Sequence, residues 1–174
     1  LAKMADLAGE RVHKQQWPAF SGLPIGLAEA DSAVGGVQFL NLGHICTSLI
    51  TSVKIWAQPH LLHPSGQIAD GVEDTASNAV HAVHELSRQI EACWKIIAIE
   101  IAIAVWAITR RGIHPDQLGV SVRQTYNAVI DVVPIGREGR EVYDLAPLNT
   151  TVRTLVGGEQ PTGSRSEALN TGVI

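Results

Sequence analysis

The residues with most chemical promise lie in one short run, Asp70-Gly71-Val72-Glu73-Asp74. It stands at the end of a Pro- and Gly-punctuated stretch and directly before a long segment free of both residues. Carboxylates at such a junction suit the positive end of a helix, and this accounts for Asp74 as a cap. Glu73 has two readings: another first-turn acid, or a carboxylate held at the end of a long ordered loop and aimed into a cleft, where burial would raise its pKa and let it hold a proton. Lys54, Gln58 and His60 flank the start of that loop and supply an ammonium, an amide and an imidazole. The seven histidines form no ligand set. His81 and His84 share a helical face without a carboxylate or thiolate to complete a metal site, so they read as structural or interface residues. Cys46 and Cys93 lie far apart in apolar surroundings and read as buried free thiols of a reducing compartment. Phosphate-binding glycine loops, zinc-protease helices and serine-nucleophile elbows are all absent from the sequence.

The elements that must position these groups are helical. Residues 1–16 carry a stripe at Leu1, Met4, Leu7, Ala8 and Val12. Pro18, Gly22, Pro24 and Gly26 interrupt it. Helical character resumes from about Val37 to Trp56, with Ile45, Leu49, Val53 and Trp56 on one face and small hydroxyl residues between them. Pro59 stops it. The stretch 58–73 is a loop of about 15 residues, which a compact domain rarely keeps without a use.

A helix capped by Asp74, Thr75 or Ser77 then runs to Arg111, roughly 35 residues and 50 Å. No small domain needs that length for its own core; it suits a long bundle covered by partner subunits. Too few residues separate Lys95 from Arg110 for a membrane span, and Glu100 sits among them; the carboxylate requires a partner or an interface. Gly112 and Pro115 end the helix. Further helices are expected over 118–133 and about 145–156, where Pro147 must fall in the first turn.

The expected fold is therefore all-α, a long-helix bundle. One helical portion covers 1–156, with the loop at about 58–75 and the central helix at about 75–111. Residues 157–174, rich in Gly, Ser, Thr and Pro, read as a flexible tail. Charged residues are only 17% of 174 against 45% hydrophobic, which points to surface hidden in a subunit interface. A net charge of -4 offers no attraction for nucleic acid or an anionic membrane. Position 1 is leucine, and the residues after it do not read as a secretory signal, so the chain reads as starting inside a longer architecture.

Several pieces occur together and in order: Ser21-Gly22-Leu23-Pro24, Gly36, Lys54, Ala57-Gln58-Pro59, Glu73-Asp74, Ala98-Ile99-Glu100 and Arg111-Gly112. This order resembles the C-terminal part of the histidine, phenylalanine and tyrosine ammonia-lyases and related 2,3-aminomutases, over roughly residues 1–150. The resemblance implies a cytoplasmic, homotetrameric enzyme that eliminates ammonia from an aromatic L-amino acid to give an α,β-unsaturated acid. It implies a 4-methylideneimidazole-5-one group made from an Ala-Ser-Gly, a sequence this chain lacks. The group, with most residues that select the substrate, would therefore come from an N-terminal portion or companion chain.

By the same resemblance Glu73 contacts the substrate amine or tunes that group. Lys54 is expected behind it, paired to a carboxylate at the base of the cleft. Gln58, His60, Val72 and Asp74 complete the surroundings. Two departures stand out: Gly71 and Val72 replace the amide pair of the histidine lyases, and the loop before Glu73 is one residue longer. Alternatives are an aminomutase, a non-catalytic oligomerisation protein of the same ancestry, and an unrelated helical small-molecule-binding protein.

Overall fold

The computed structural model describes residues 1–28, 33–59, 78–133 and 144–157, the side chains of 33–38 excepted. Among the described residues every regular element is helical. They are α1 (Ala2–Gln16), α2 (Pro18–Ser21), a 3-10 turn (Ile25–Leu27), α3 (Ala33–Trp56), α4 (Ala79–Arg110), a second 3-10 turn (Pro115–Gln117), α5 (Val120–Val129) and α6 (Ala146–Gly157). The chain is all-α. Helices α1, α3 and α4 pack on one another, and α5 and α6 also pack on α4.

Helix α1 buries only part of the expected stripe, Ala8 and Val12. Leu1, Met4 and Leu7 are exposed, while Ala5, Ala8, Gly9, Val12 and Gln16 form the buried face. The reason is distance. A Cβ on Gly9 would lie 2.3 Å from Ile50 Cδ1, so α1 lies against α3 at a separation that only small residues permit. Gln16, 1% exposed, is buried with its amide donating to the Phe39 carbonyl. Gly43 leaves room for it, since a Cβ there would sit 2.6 Å from Gln16 Oε1.

Helix α3 buries Phe39, Leu42, Cys46 and Val53; Ile45, Leu49 and Trp56 of the expected face are half-buried. Helix α4 is 32 residues, about 48 Å. Its second half supplies Ile96, Ile99, Ala102, Ile103 and Trp106 to the core, whereas Val80, Val83, Leu86 and Ile90 of its first half are exposed. Residue count does not exclude a membrane span here, because an 18-residue window of α4 reaches a mean hydropathy of 1.8. Its surroundings make it a core helix: α1, α3, α5 and α6 all pack on it, and Glu100 is ion-paired to Arg11 through Nε–Oε1 and Nη2–Oε2, the latter 3.0 Å. Gly112, at φ +65°, closes the helix, with its N–H donating to the Thr109 carbonyl at 3.0 Å. The helix starts at Ala79, later than the expected 75, with Asn78 at its N-cap position; the expected caps Asp74, Thr75 and Ser77 lie outside the described residues.

Helix α5 is shorter than expected and buries Tyr126 and Val129. The Tyr126 hydroxyl meets Thr109 Oγ1 at 2.9 Å. Pro147 occupies the second position of α6, where a missing N–H costs nothing. The Asp144 carboxylate accepts from Ala146 N–H at 2.9 Å. Leu148 and Val152 are buried, and Arg153 bridges α6 to α4 by pairing with Glu91 at 2.5 Å and covering the Trp94 ring at 5.5 Å.

Both cysteines are free and buried. Burial, and then the charge of Glu100, push the Cys46 thiol up to about 11 from an ordinary 9.0. A proton held more tightly in the fold gives stability that is complete below pH 9 and lost as pH climbs through about 11. Urea midpoints measured at pH 8 and pH 10.5 should therefore fall further in the parent than in Cys46→Ala. Equal slopes would remove Cys46 as a source of alkaline sensitivity.

Candidate functional site

Lys54 stands in the last turn of α3, just beyond the hydroxyl row Thr47, Ser48, Thr51 and Ser52. Those hydroxyls are satisfied within the helix: Thr47 donates to the Gly43 carbonyl, Thr51 to that of Thr47 and Ser52 to that of Ser48, at 3.0–3.1 Å. They add no bulk that would hold α1 away. The close approach at Gly9 and Ile50 brings Asp6 of α1 to Lys54, with Oδ1 2.6 Å from Nζ. An ammonium in the last turn also suits the negative end of α3.

The pair closes one end of a groove of about 440 Å³ between α1 and α3. Gly9 and Ile50 lie along it, and Trp17 and Phe20 line it further on. Both aromatics are exposed, at 55% and 66%. They are carried by the turn into α2, which Gly22 closes at φ +68° and Arg111 anchors by donating to the Ser21 carbonyl at 2.6 Å. The other polar groups of the groove are paired with one another: Glu10 with Lys14 at 3.8 Å, and His13 Nε2 with Thr47 Oγ1 at 3.0 Å. Chemically this is an apolar, aromatic-edged channel with one held ammonium at its end. No group of three or more potential metal ligands occurs among the described residues.

A second groove, of about 540 Å³, lies where α3 ends and α4 begins. Gln89 donates to the Trp56 carbonyl at 2.9 Å, and the Arg88 guanidinium lies 5.4 Å from the centre of the Trp56 ring. These contacts tie the end of α3 to the body of α4. Of the residues singled out in the sequence, Lys54 lines the first groove and Gln58 is exposed on the turn after α3, its N–H donating to the Ile55 carbonyl at 3.2 Å. His60, Val72, Glu73 and Asp74 lie outside the described residues. His81 and His84 are exposed on α4.

Sequence reasoning missed Asp6, Trp17 and Phe20. A signal for the first two exists, because Asp6, Gly9, His13 and Trp17 recur at three- and four-residue spacing along α1 and so share a face with the small residues. Which face of α3 they would meet carries no such signal.

The family model for aromatic amino acid lyases matches residues 1–131. The chain belongs to the aromatic amino acid lyase family. The matched span takes in α1 to α5, and with them the Lys54 groove and the whole of α4. Among curated proteins, the chain is similar to the histidine ammonia-lyase of Geobacillus thermodenitrificans (strain NG80-2), with 27% identity over 135 residues. That alignment covers 77% of this chain and 26% of the relative, so the chain spans about a quarter of the length of the curated relative it matches.

Proposed function

We propose that this chain is one part of an ammonia-lyase that eliminates ammonia from an aromatic L-amino acid to give an α,β-unsaturated acid. The observation that carries the reading is the family match across 1–131, which includes the Lys54 groove and the helices that flank the segment holding Glu73. On this reading Glu73 contacts the substrate amine or the reacting centre. Lys54, Gln58, His60, Val72 and Asp74 shape its surroundings.

The family's electrophile, 4-methylideneimidazole-5-one, cannot arise from these residues, because they contain no Ala-Ser-Gly. It would have to be supplied by polypeptide outside them. What this chain contributes is placement: an ammonium at the end of a groove, and a braced pair of helices that precede and follow residues 60–77 in sequence.

Partners are part of the proposal. Leu1, Met4 and Leu7 on α1 and Val80, Val83, Leu86 and Ile90 on α4 are all more than 40% exposed. Uncovered apolar residues in such number support a working state in which the remaining lyase polypeptide, and further copies in a tetramer, cover them. A cytoplasmic setting, with neither membrane nor nucleic acid as partner, belongs to the same reading.

The test is native and intact mass of the purified material, followed by ammonia release from histidine, phenylalanine and tyrosine. A larger companion chain with a mass loss matching dehydration at an Ala-Ser-Gly, together with ammonia release, is the expected result. An assembly with no such mass loss and no ammonia from any of the three would sink the lyase reading. It would favour the oligomerisation protein, which the replacement of the amide pair by Gly71 and Val72 already suits. A β-amino acid product would instead mark an aminomutase.

A further inference from the structure

We propose that Asp6 is a positioning residue, holding the Lys54 ammonium at the end of the α1–α3 groove so that its remaining N–H donors face an anionic ligand there. The use of that ammonium in a reaction rests on the lyase reading above; the holding of Lys54 by Asp6 does not.

Three observations converge. The Asp6–Lys54 contact, at 2.6 Å, is much shorter than the 3.8 Å of the neighbouring Glu10–Lys14 pair in the same groove. Its partners come from two helices whose spacing is set by Gly9 against Ile50, so the carboxylate is delivered by packing and not by a flexible loop. The other acid of the groove, Glu10, is paired within its own helix, which leaves Asp6 as the carboxylate facing Lys54.

A lysine carries its charge on four rotatable carbons and loses much freedom when it is pinned. The pair is also partly exposed, with side chains 53% and 31% accessible. A pair so placed contributes little to stability. Its main consequence is therefore where the ammonium points. An ammonium has three donors; Asp6 engages one, and two remain for a carboxylate at the groove end.

The test uses the full chain with its four lysines. Limited acetylation with acetic anhydride is read by peptide mass, with the exposed Lys95 as internal reference. In Asp6→Asn the Lys54-to-Lys95 ratio should rise roughly two- to fivefold, in keeping with an exposed ion pair, and Asp6→Glu should bring it back. An unchanged ratio in Asp6→Asn, with the helical circular dichroism intact, would overturn the proposal.

In the assembled enzyme, Asp6→Asn should raise KM several-fold more than it lowers kcat. The exchange Asp6→Lys with Lys54→Asp should restore the pair but not KM, because the ammonium then stands on the wrong helix. A kinetic rescue by that exchange would overturn the positioning role in favour of a purely structural bridge. If the parent assembly releases no ammonia, the lyase reading fails, while the acetylation ratio still decides whether Asp6 holds Lys54.

Discussion

Replacing Trp106 with alanine should cost about 3–5 kcal/mol of stability, as for other large aromatic deletions in closed cores. Trp106 is 6% exposed and stacks on Phe39, ring centres 5.8 Å apart and planes 10° from parallel. Its indole N–H donates to the Leu27 carbonyl at 3.1 Å. Leu27 is fully buried and holds φ at +57°, a left-handed conformation that costs a branched residue on the order of 1–3 kcal/mol. The alanine variant thus opens a cavity beside Phe39, orphans a buried carbonyl and removes the contact that holds the strained turn. Against a typical total of about 5–15 kcal/mol, a loss of this size leaves a much less cooperative chain.

Trp106→Phe separates the effects. It keeps a ring against Phe39 and removes only the donor, so about 1–3 kcal/mol should go, the cost of an unsatisfied buried acceptor. Urea unfolding followed by circular dichroism checks both variants. An alanine variant within 1 kcal/mol of the parent, small beside the expected ~3–5, would mean that Trp106 is not the centre of the α3–α4 contact.

On the proposed lyase reading, Glu73→Gln in the assembled protein should lower kcat/KM by roughly 10²–10⁴-fold, the usual worth of a positioned acid or base. The glutamine keeps size and hydrogen-bonding reach but can neither carry the charge nor exchange the proton. Native mass should be unchanged, so that loss of rate is not loss of assembly. A glutamine variant that keeps the parent rate would remove Glu73 from the reaction. The proposed role would then pass to another group of the assembled site, with Lys54 still held by Asp6 as a binding group.

The range of the forces involved separates the features legible in the sequence from those that packing decided. Helix ends were legible because they depend on neighbours in the chain. Pro59 follows the end of α3, Gly112 closes α4 in the left-handed conformation that glycine adopts without strain, and Pro147 falls in the first turn of α6. The need of Glu100 for a partner was legible too, since a carboxylate in an apolar run is costly alone. Its partner, Arg11, lies 89 residues away, and nothing local names it.

Three things were decided only by packing. Helix α1 buries Ala5, Ala8 and Gly9 and exposes Leu1, Met4 and Leu7, although hydrophobicity alone ranks them the other way. Lys54 meets Asp6 because Gly9 lets two helices approach closely at Ile50. Gln16, a polar residue, is buried because the Phe39 carbonyl receives its amide. Periodicity and capping act within a turn or two of helix, so the sequence by itself determined that this protein is all-α and where most of its helices end. Which face of each helix is covered depends on side-chain volumes contributed by another helix, and only the tertiary structure brings those volumes together.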